Sequence, residues 1–191
     1  MDLYEAIHNR RSHRRYRPEM PPREALARVI DAALWAPSAM NTQNWEITLM
    51  AGQTRDEFVE IASRCAAALI PIMEKTGVPE KSVKRVVQFF QDLGGAPVVI
   101  AVTFLKKGDY PENIADIQAA SALMQNLLLT AHAEGLGTCW MTGVLLVEKE
   151  LLEFLGKPGQ QLLAITPIGY SAKQPPAPPR KPREVRWLGF E

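Results

Sequence analysis

Cysteine and histidine are scarce in this 191-residue chain: Cys65 and Cys139 are its only thiols, and His8, His13 and His132 its only imidazoles. Two cysteines make no disulfide framework, and neither they nor the histidines stand at metal-ligand spacing, which argues against a structural zinc site. Long apolar runs are missing as well. No stretch approaches the roughly 18–20 residues of a membrane-spanning helix. The opening MDLYEAIHNRR has an acid at position 2 and lacks the apolar middle of a signal peptide. Excess charge is missing too, since 22 Lys and Arg face 21 Asp and Glu for a net +1, which argues against a general nucleic-acid binder. Nucleotide-binding glycine motifs are absent: there is no P-loop, and Gly135 and Gly137 are followed by Trp140 where a dinucleotide fingerprint needs a third glycine. These absences lead to the expectation of a soluble protein in a reducing, cytoplasmic setting, with no metal, membrane or nucleic-acid partner.

What is present suffices for a substantial core. A hydrophobic content of 47 % over 191 residues predicts one domain spanning 1–191, with an extended, proline-rich C-terminal arm over about 174–191. Asp2 and Glu5 form a capping box for a short helix with Leu3, Ala6 and Ile7 on one face. Leu26, Val29, Ile30, Ala33 and Leu34 recur at helical spacing up to the stop at Pro37. WEITLMAG alternates Trp45, Ile47 and Leu49 against Glu46 and Thr48, the pattern of a half-buried strand. Residues 54–74 read as helix, and 75–95 as a broken helix or a flap. APVVIAVTFL is apolar and β-branched, as a central strand buried on both faces should be. A long helix over 113–134, stopped by Gly135, a short one in VEKELLEFLG, and a strand in QLLAITPIGY complete the set. Helices and strands mix without a regular βαβ rhythm, which favours an α+β fold.

Three stretches carry the candidate chemistry. RRSHRRYR places Arg10, Arg11, Arg14, Arg15 and Arg17 within eight positions, with Ser12 among them. Such a run reads as a solvated helix end, a nucleic-acid arm or a phosphate site, where guanidinium forks pair two oxygens at once and Ser12 adds a hydroxyl donor. APSAMNTQNW leaves room beside small Ser38 and Ala39, and offers Asn41 and Gln43 as amide donors and acceptors, or is a plain helix-to-strand loop. GLGTCWMTG holds three glycines in nine positions, which suits close backbone approach to a strand or a ligand. Cys139, with no histidine near it in sequence, reads as a small core residue rather than a nucleophile.

In order along the chain, RRSHRRY, APSAMNTQNW, GGAPVVIAV, AASALMQNLLLTAHAEGLGTCW, GLGTCWMTG and PIGYSAKQPPAPPRKP resemble the nitroreductase family from Asp2 to about Trp187. The resemblance implies an α+β fold with a mixed sheet flanked by helices, built as an intertwined homodimer, and FMN as cofactor with NADH or NADPH as reductant. It implies that Arg10 and Ser12 reach the flavin phosphate and ribityl chain, with Arg11 between them, and that Arg14 stands beside the pyrimidine edge. Pro37, Ser38, Ala39 and Asn41 match the loop that the partner subunit lays against the flavin. Met141, Thr142 and Gly143 match the turn whose N–H groups face N5 and O4, and Arg180 with Lys181 the late basic pair that closes on the phosphate. Several family members carry an acid where this chain has Thr142. The implied reaction is ping-pong hydride transfer from NAD(P)H to nitro compounds, quinones or other flat small-molecule electron acceptors, with no side chain as catalytic nucleophile. The alternative keeps fold and flavin but gives a specialised reaction: reductive dehalogenation, dehydrogenation of a small metabolite, or flavin breakdown.

Overall fold

The computed structural model describes residues 1–108 and 111–190. At its centre is a four-stranded sheet in the order β1 (Glu46–Ala51), β2 (Val98–Leu105), β4 (Gln160–Gly169), β3 (Gly137–Thr138), every pair antiparallel. A parallel component enters through the bridge between Ser12 and Thr138, so the sheet together with its N-terminal appendage is mixed. Val98, Ile100, Val102 and Phe104 of β2 point into one core, with α2 (Arg23–Leu34) and α6 (Glu112–Ala133). Val99 and Ala101 point into the other, with α3 (Gly52–Ser63), α5 (Glu80–Asp92) and α7 (Glu148–Phe154). The period-2 alternation of a strand thus serves two cores at once, which is why β2 is apolar throughout. A bulge at Val102/Thr103 leaves Leu163 of β4 without an opposite residue.

Several expectations shift in detail. Residues 54–74 form two helices, α3 and α4 (Cys65–Lys75), jointed at Arg64. The break within 75–95 falls at the turn before Pro79, and α5 beyond it is a continuous helix of 13 residues. Trp45, just before β1, and Ile47 within it face the first core but Leu49 is exposed, while Met50 enters the second. The reason is that β1 is an edge strand, covered on opposite faces at its two ends rather than on one face along its length. The capping box of α1 (Leu3–Asn9) is present, with the Glu5 N–H donating to Asp2 Oδ1 at 2.9 Å and the Asp2 N–H to Glu5 Oε2 at 3.2 Å. Of its apolar face only Ala6 is buried; Leu3 and Ile7 remain exposed, since nothing in one chain covers them.

Exposed apolar side chains concentrate on neighbouring elements: Leu3, Tyr4 and Ile7 on α1, Leu34 and Trp35 at the end of α2, and Ile114 and Ile117 at the start of α6. The arm after Ser171 has no regular secondary structure and exposes Trp187, Leu188 and Phe190. Among the described residues, no helix is long and apolar enough to cross a membrane, and no group of ligand-type side chains could hold a metal ion.

Candidate functional site

The arginine-rich segment leaves α1 in extended form and is stitched to the sheet. Ser12 bridges Thr138, and the His13 N–H donates to the Thr138 carbonyl at 2.8 Å. The Tyr16 N–H donates to the Gly94 carbonyl at 2.9 Å, the Arg17 N–H to the Tyr170 carbonyl at 2.8 Å, and the Ala172 N–H to the Arg15 carbonyl at 3.0 Å. Buried Tyr16 closes the segment by donating its hydroxyl to the His13 carbonyl at 2.7 Å. A Cβ on Gly137 would lie 2.8 Å from the His13 ring, and one on Gly94, at φ +69°, would strike the Arg14 carbonyl. Both glycines are therefore required by close approach of the segment to its supports.

This seating gathers the cations. Arg10 has its pKa lowered, first by burial, then by Arg180 and Arg11. Buried Cys139 has its thiol pushed up by burial, against the opposing pull of Arg14, the Ser12 hydroxyl and Arg10. Arg10, Ser12 and Arg14 thus come near Cys139 in the GLGTCWMTG segment, and Arg180 comes near Arg10, as their spacing in sequence could not show. Arg10, Arg11, Arg14 and Arg15 form no ion pair among the described residues. Arg11 spends Nη1 on the carbonyls of His8 and Arg10, at 2.6 and 2.8 Å, capping α1. Arg17 is diverted to Glu19 at 3.6 Å and to the face of Tyr170. His13 Nδ1 lies 2.6 Å from Ser171 Oγ, which itself lies 2.8 Å from the Lys173 carbonyl.

The bend at Met141–Gly143 lies at the far end of the same segment. Met141 exchanges N–H···O bonds with Ile165, at 2.9 and 3.1 Å. Its N–H is therefore spent on the sheet. The N–H groups of Thr142 and Gly143 have no partner among the described residues. A Cβ on Gly143 would sit 2.9 Å from Phe90 Cζ and 3.0 Å from Leu69 Cδ1, so the α4–α5 pair closes one side of this bend.

One expected contributor, the loop of Pro37, Ser38, Ala39 and Asn41, stands beside α6 within one chain. Pro37, Ser38 and Ala39 line a separate recess of about 210 Å³ against Ala115, Gln118, Ala119 and Ala122 of α6. Their loop is strained: Met40, Asn41 and Gln43 have φ of 52°, 54° and 46°, and Met40 is 95 % exposed. The Gln43 N–H donates to Ser38 Oγ at 3.0 Å, which holds the loop in this shape. Lys181 is exposed on the arm beside Arg180. Residues 75–95 carry the expectation of a flap, whereas sequence reasoning does not single out Tyr16 and Gly94 as supports of the arginine-rich segment. The Gly94–Gly95 pair is the available signal for a close approach, though not for what approaches.

Residues 7–170 match the model of the nitroreductase family, and the chain belongs to that family. YfhC of Bacillus subtilis (strain 168), named among the NAD(P)H nitroreductases, is 26 % identical over 186 residues, covering 97 % of this chain and 92 % of that one. A solved nitroreductase-type protein from Desulfovibrio desulfuricans, in complex with FMN, is 27 % identical at a TM-score of 0.72, covering 95 % and 92 % of the two chains. An iodotyrosine deiodinase bound to FMN and 3-iodo-L-tyrosine shares the fold at a TM-score of 0.77 and 23 % identity, covering 99 % and 100 %.

Proposed function

We propose that the protein is an FMN-dependent oxidoreductase that takes reducing equivalents from NADH or NADPH and passes them to flat small-molecule acceptors such as nitro compounds or quinones, working as a homodimer. What supports this reading is that Arg10, Ser12 and Arg14 lie near Cys139, in the segment that leads to the bend kept free of side-chain bulk at Gly143, and that neither arginine has an acidic partner among the described residues. The donor set fits the cofactor: guanidinium forks and a hydroxyl suit a phosphate monoester, and two free N–H groups suit the edge of a heteroaromatic ring. FMN, when bound, supplies a ring that accepts hydride from NAD(P)H and returns the electrons to the acceptor.

The chain's own residues bind and orient. Arg10 and Ser12 hold the phosphate end, and Arg11, fixed against α1, supports them with its remaining N–H groups. Arg14 stands at the pyrimidine edge, where a fixed positive charge favours accumulation of negative charge. Thr142 and Gly143 donate backbone N–H groups to the ring edge. Met141 positions that bend through Ile165. Arg180, already beside Arg10, closes on the phosphate with Lys181. Cys139 is buried with a raised pKa, which suits packing rather than nucleophilic attack.

The homodimer is supported by the exposed apolar faces of α1, α2 and α6, which one chain leaves uncovered. It also gives the strained loop at Pro37, Ser38, Ala39 and Asn41 a role, because from one protomer that loop reaches the flavin of the other. The deiodinase shares this fold, which favours, as a second reading, a specialised reaction on the same flavin. A steady-state assay of the FMN-bearing protein with NADH and NADPH against nitroaromatics and quinones decides between them. Turnover of several acceptors supports the general reductase. Background rates with every acceptor, in protein that retains FMN, would favour the specialised reaction.

A further inference from the structure

Of the three histidines only His13 is fully buried, at 4 % exposure, and the proposed flavin site makes no use of it. Its ring fills the room left by Gly137, where a Cβ would lie 2.8 Å from the ring's Cγ. Burial first, and then His132 of α6, hold its pKa below the ordinary histidine value; the Lys173 carbonyl opposes them and Arg10 adds to them. It has no carboxylate partner among the described residues. A neutral imidazole so placed adds no charge to the cationic cluster, and an apolar side chain could fill the space without a polar group to satisfy. What the ring contributes is a directed hydrogen bond. Its Nδ1 lies 2.6 Å from Ser171 Oγ, 158 positions away in the chain. The same oxygen lies 2.8 Å from the Lys173 carbonyl and accepts the Lys173 N–H at 3.3 Å, which turns the chain just past β4. Backbone pairing between the two segments ends at this turn, with the Ala172 N–H on the Arg15 carbonyl at 3.0 Å. Beyond it, no backbone hydrogen bond tethers the arm among the described residues. The arm nevertheless brings Arg180 beside Arg10. The turn at Ser171 therefore sets the course of the chain that delivers Arg180, and His13 holds the hydroxyl at its centre.

We propose that His13 is a positioning residue for the phosphate end of the flavin site: through Ser171 it fixes the departure of the C-terminal arm, so that Arg180 arrives beside Arg10 and Ser12 in register to grip a phosphate monoester. The proposal rests on the FMN reading above. His13 acts through Ser171 and is not itself a ligand of the phosphate. A guanidinium fork holds two phosphate oxygens only when its plane is correctly aimed, so a small change in the arm's course costs Arg180 its contact.

The test is a fluorescence titration of the flavin-stripped protein at pH 8 with FMN and with riboflavin, which lacks the phosphate. Ser171→Ala and His13→Leu should each bind FMN about tenfold more weakly, the loss expected when one charge-assisted contact is misplaced, and riboflavin within about twofold of wild type. His13→Asn, which keeps a hydrogen-bonding nitrogen near the Nδ1 position without a titrating ring, should recover most of the FMN affinity. The double variants His13→Leu/Ser171→Ala and Ser171→Ala/Arg180→Ala should each stay near about tenfold rather than reach about a hundredfold, because each pair acts through one connection. Ser171 is only half-buried, so Ser171→Ala and its double with Arg180→Ala carry the test alone if His13→Leu does not fold. Equal weakening of FMN and riboflavin would overturn the proposal by reducing His13 to a general packing role. Unchanged FMN affinity in Ser171→Ala, or losses that multiply in either double variant, would overturn it and leave the FMN reading standing. A wild-type protein that takes up neither flavin would overturn the reading beneath it, and this inference with it.

Discussion

Arg10 is held in an unfavourable setting by its own neighbours. Burial and the nearby charges of Arg180 and Arg11 all oppose its positive charge, and an anion bound among them removes that opposition. Arg10→Ala is accordingly expected to weaken FMN binding by about 10- to 100-fold, the range for loss of one charge-assisted hydrogen-bonded contact, with the thermal unfolding curve of the apoprotein little changed. Fluorescence titration with FMN measures the first and a calorimetric scan the second. The two histidines near this cluster make a separate point. His13 has its pKa lowered, first by burial and then by His132, and His132 has its own lowered by burial and then by Arg10 and Arg11. A lowered folded-state pKa means the unfolded chain takes up protons first. Stability is therefore expected to fall as pH drops below the ordinary histidine value of about 6.5, and to be full above it. Unfolding midpoints at pH 8, 6.5 and 5.5 check the sign, and His13→Gln should flatten the slope over that window.

At the level of elements, the N-terminal segment works as an additional strand whose register depends on two glycines and a tyrosine. Gly94 combines a left-handed φ of +69° with a backbone clash for any side chain against Arg14. Gly94→Ala is expected to destabilise the fold by roughly 1–3 kcal/mol, the range for strain at a special backbone position. It should also lower FMN affinity, because Arg14 is displaced with its backbone. Chemical denaturation and FMN titration of this variant read the two effects. A fall in stability with flavin affinity intact would show that the segment's register does not govern the site. The α4–α5 pair matters in the same way, since Phe90 and Leu69 abut the Gly143 bend.

Local chemistry accounts for what is legible in the sequence at this scale. The capping box at Asp2, the periodicity of Leu26–Ala33 and the unbroken apolar run of β2 each reflect interactions within a few residues or burial on both faces, and these elements stand where expected. The alternation in the edge strand misplaces Leu49, because it cannot say which neighbours cover an edge. Arg11 and Arg17 cannot be told from Arg10 and Arg14 by type alone. Their diversion to α1 carbonyls, Glu19 and Tyr170 is a tertiary outcome. The spent N–H of Met141 likewise follows from a bridge to Ile165, 24 positions away in the chain numbering.

For the molecule as a whole, one chain presents a cationic cradle, a strained loop and uncovered apolar helices. A symmetric pair would cover those helices and bring each loop to the other's cradle. The protein is expected to sediment at twice the chain mass at micromolar concentration. Replacing exposed Ile7 and Ile117 together by Asp should shift it toward monomer and reduce FMN retention in parallel. A monomer that keeps its flavin would separate the two properties. The most direct measurement is an FMN titration of the flavin-stripped wild-type protein, followed by quenching of the free cofactor's fluorescence. Saturation at one FMN per chain, with a band that shifts on binding, is the predicted result. Fluorescence that stays at the value of free FMN at every protein concentration, in folded protein, would contradict the account.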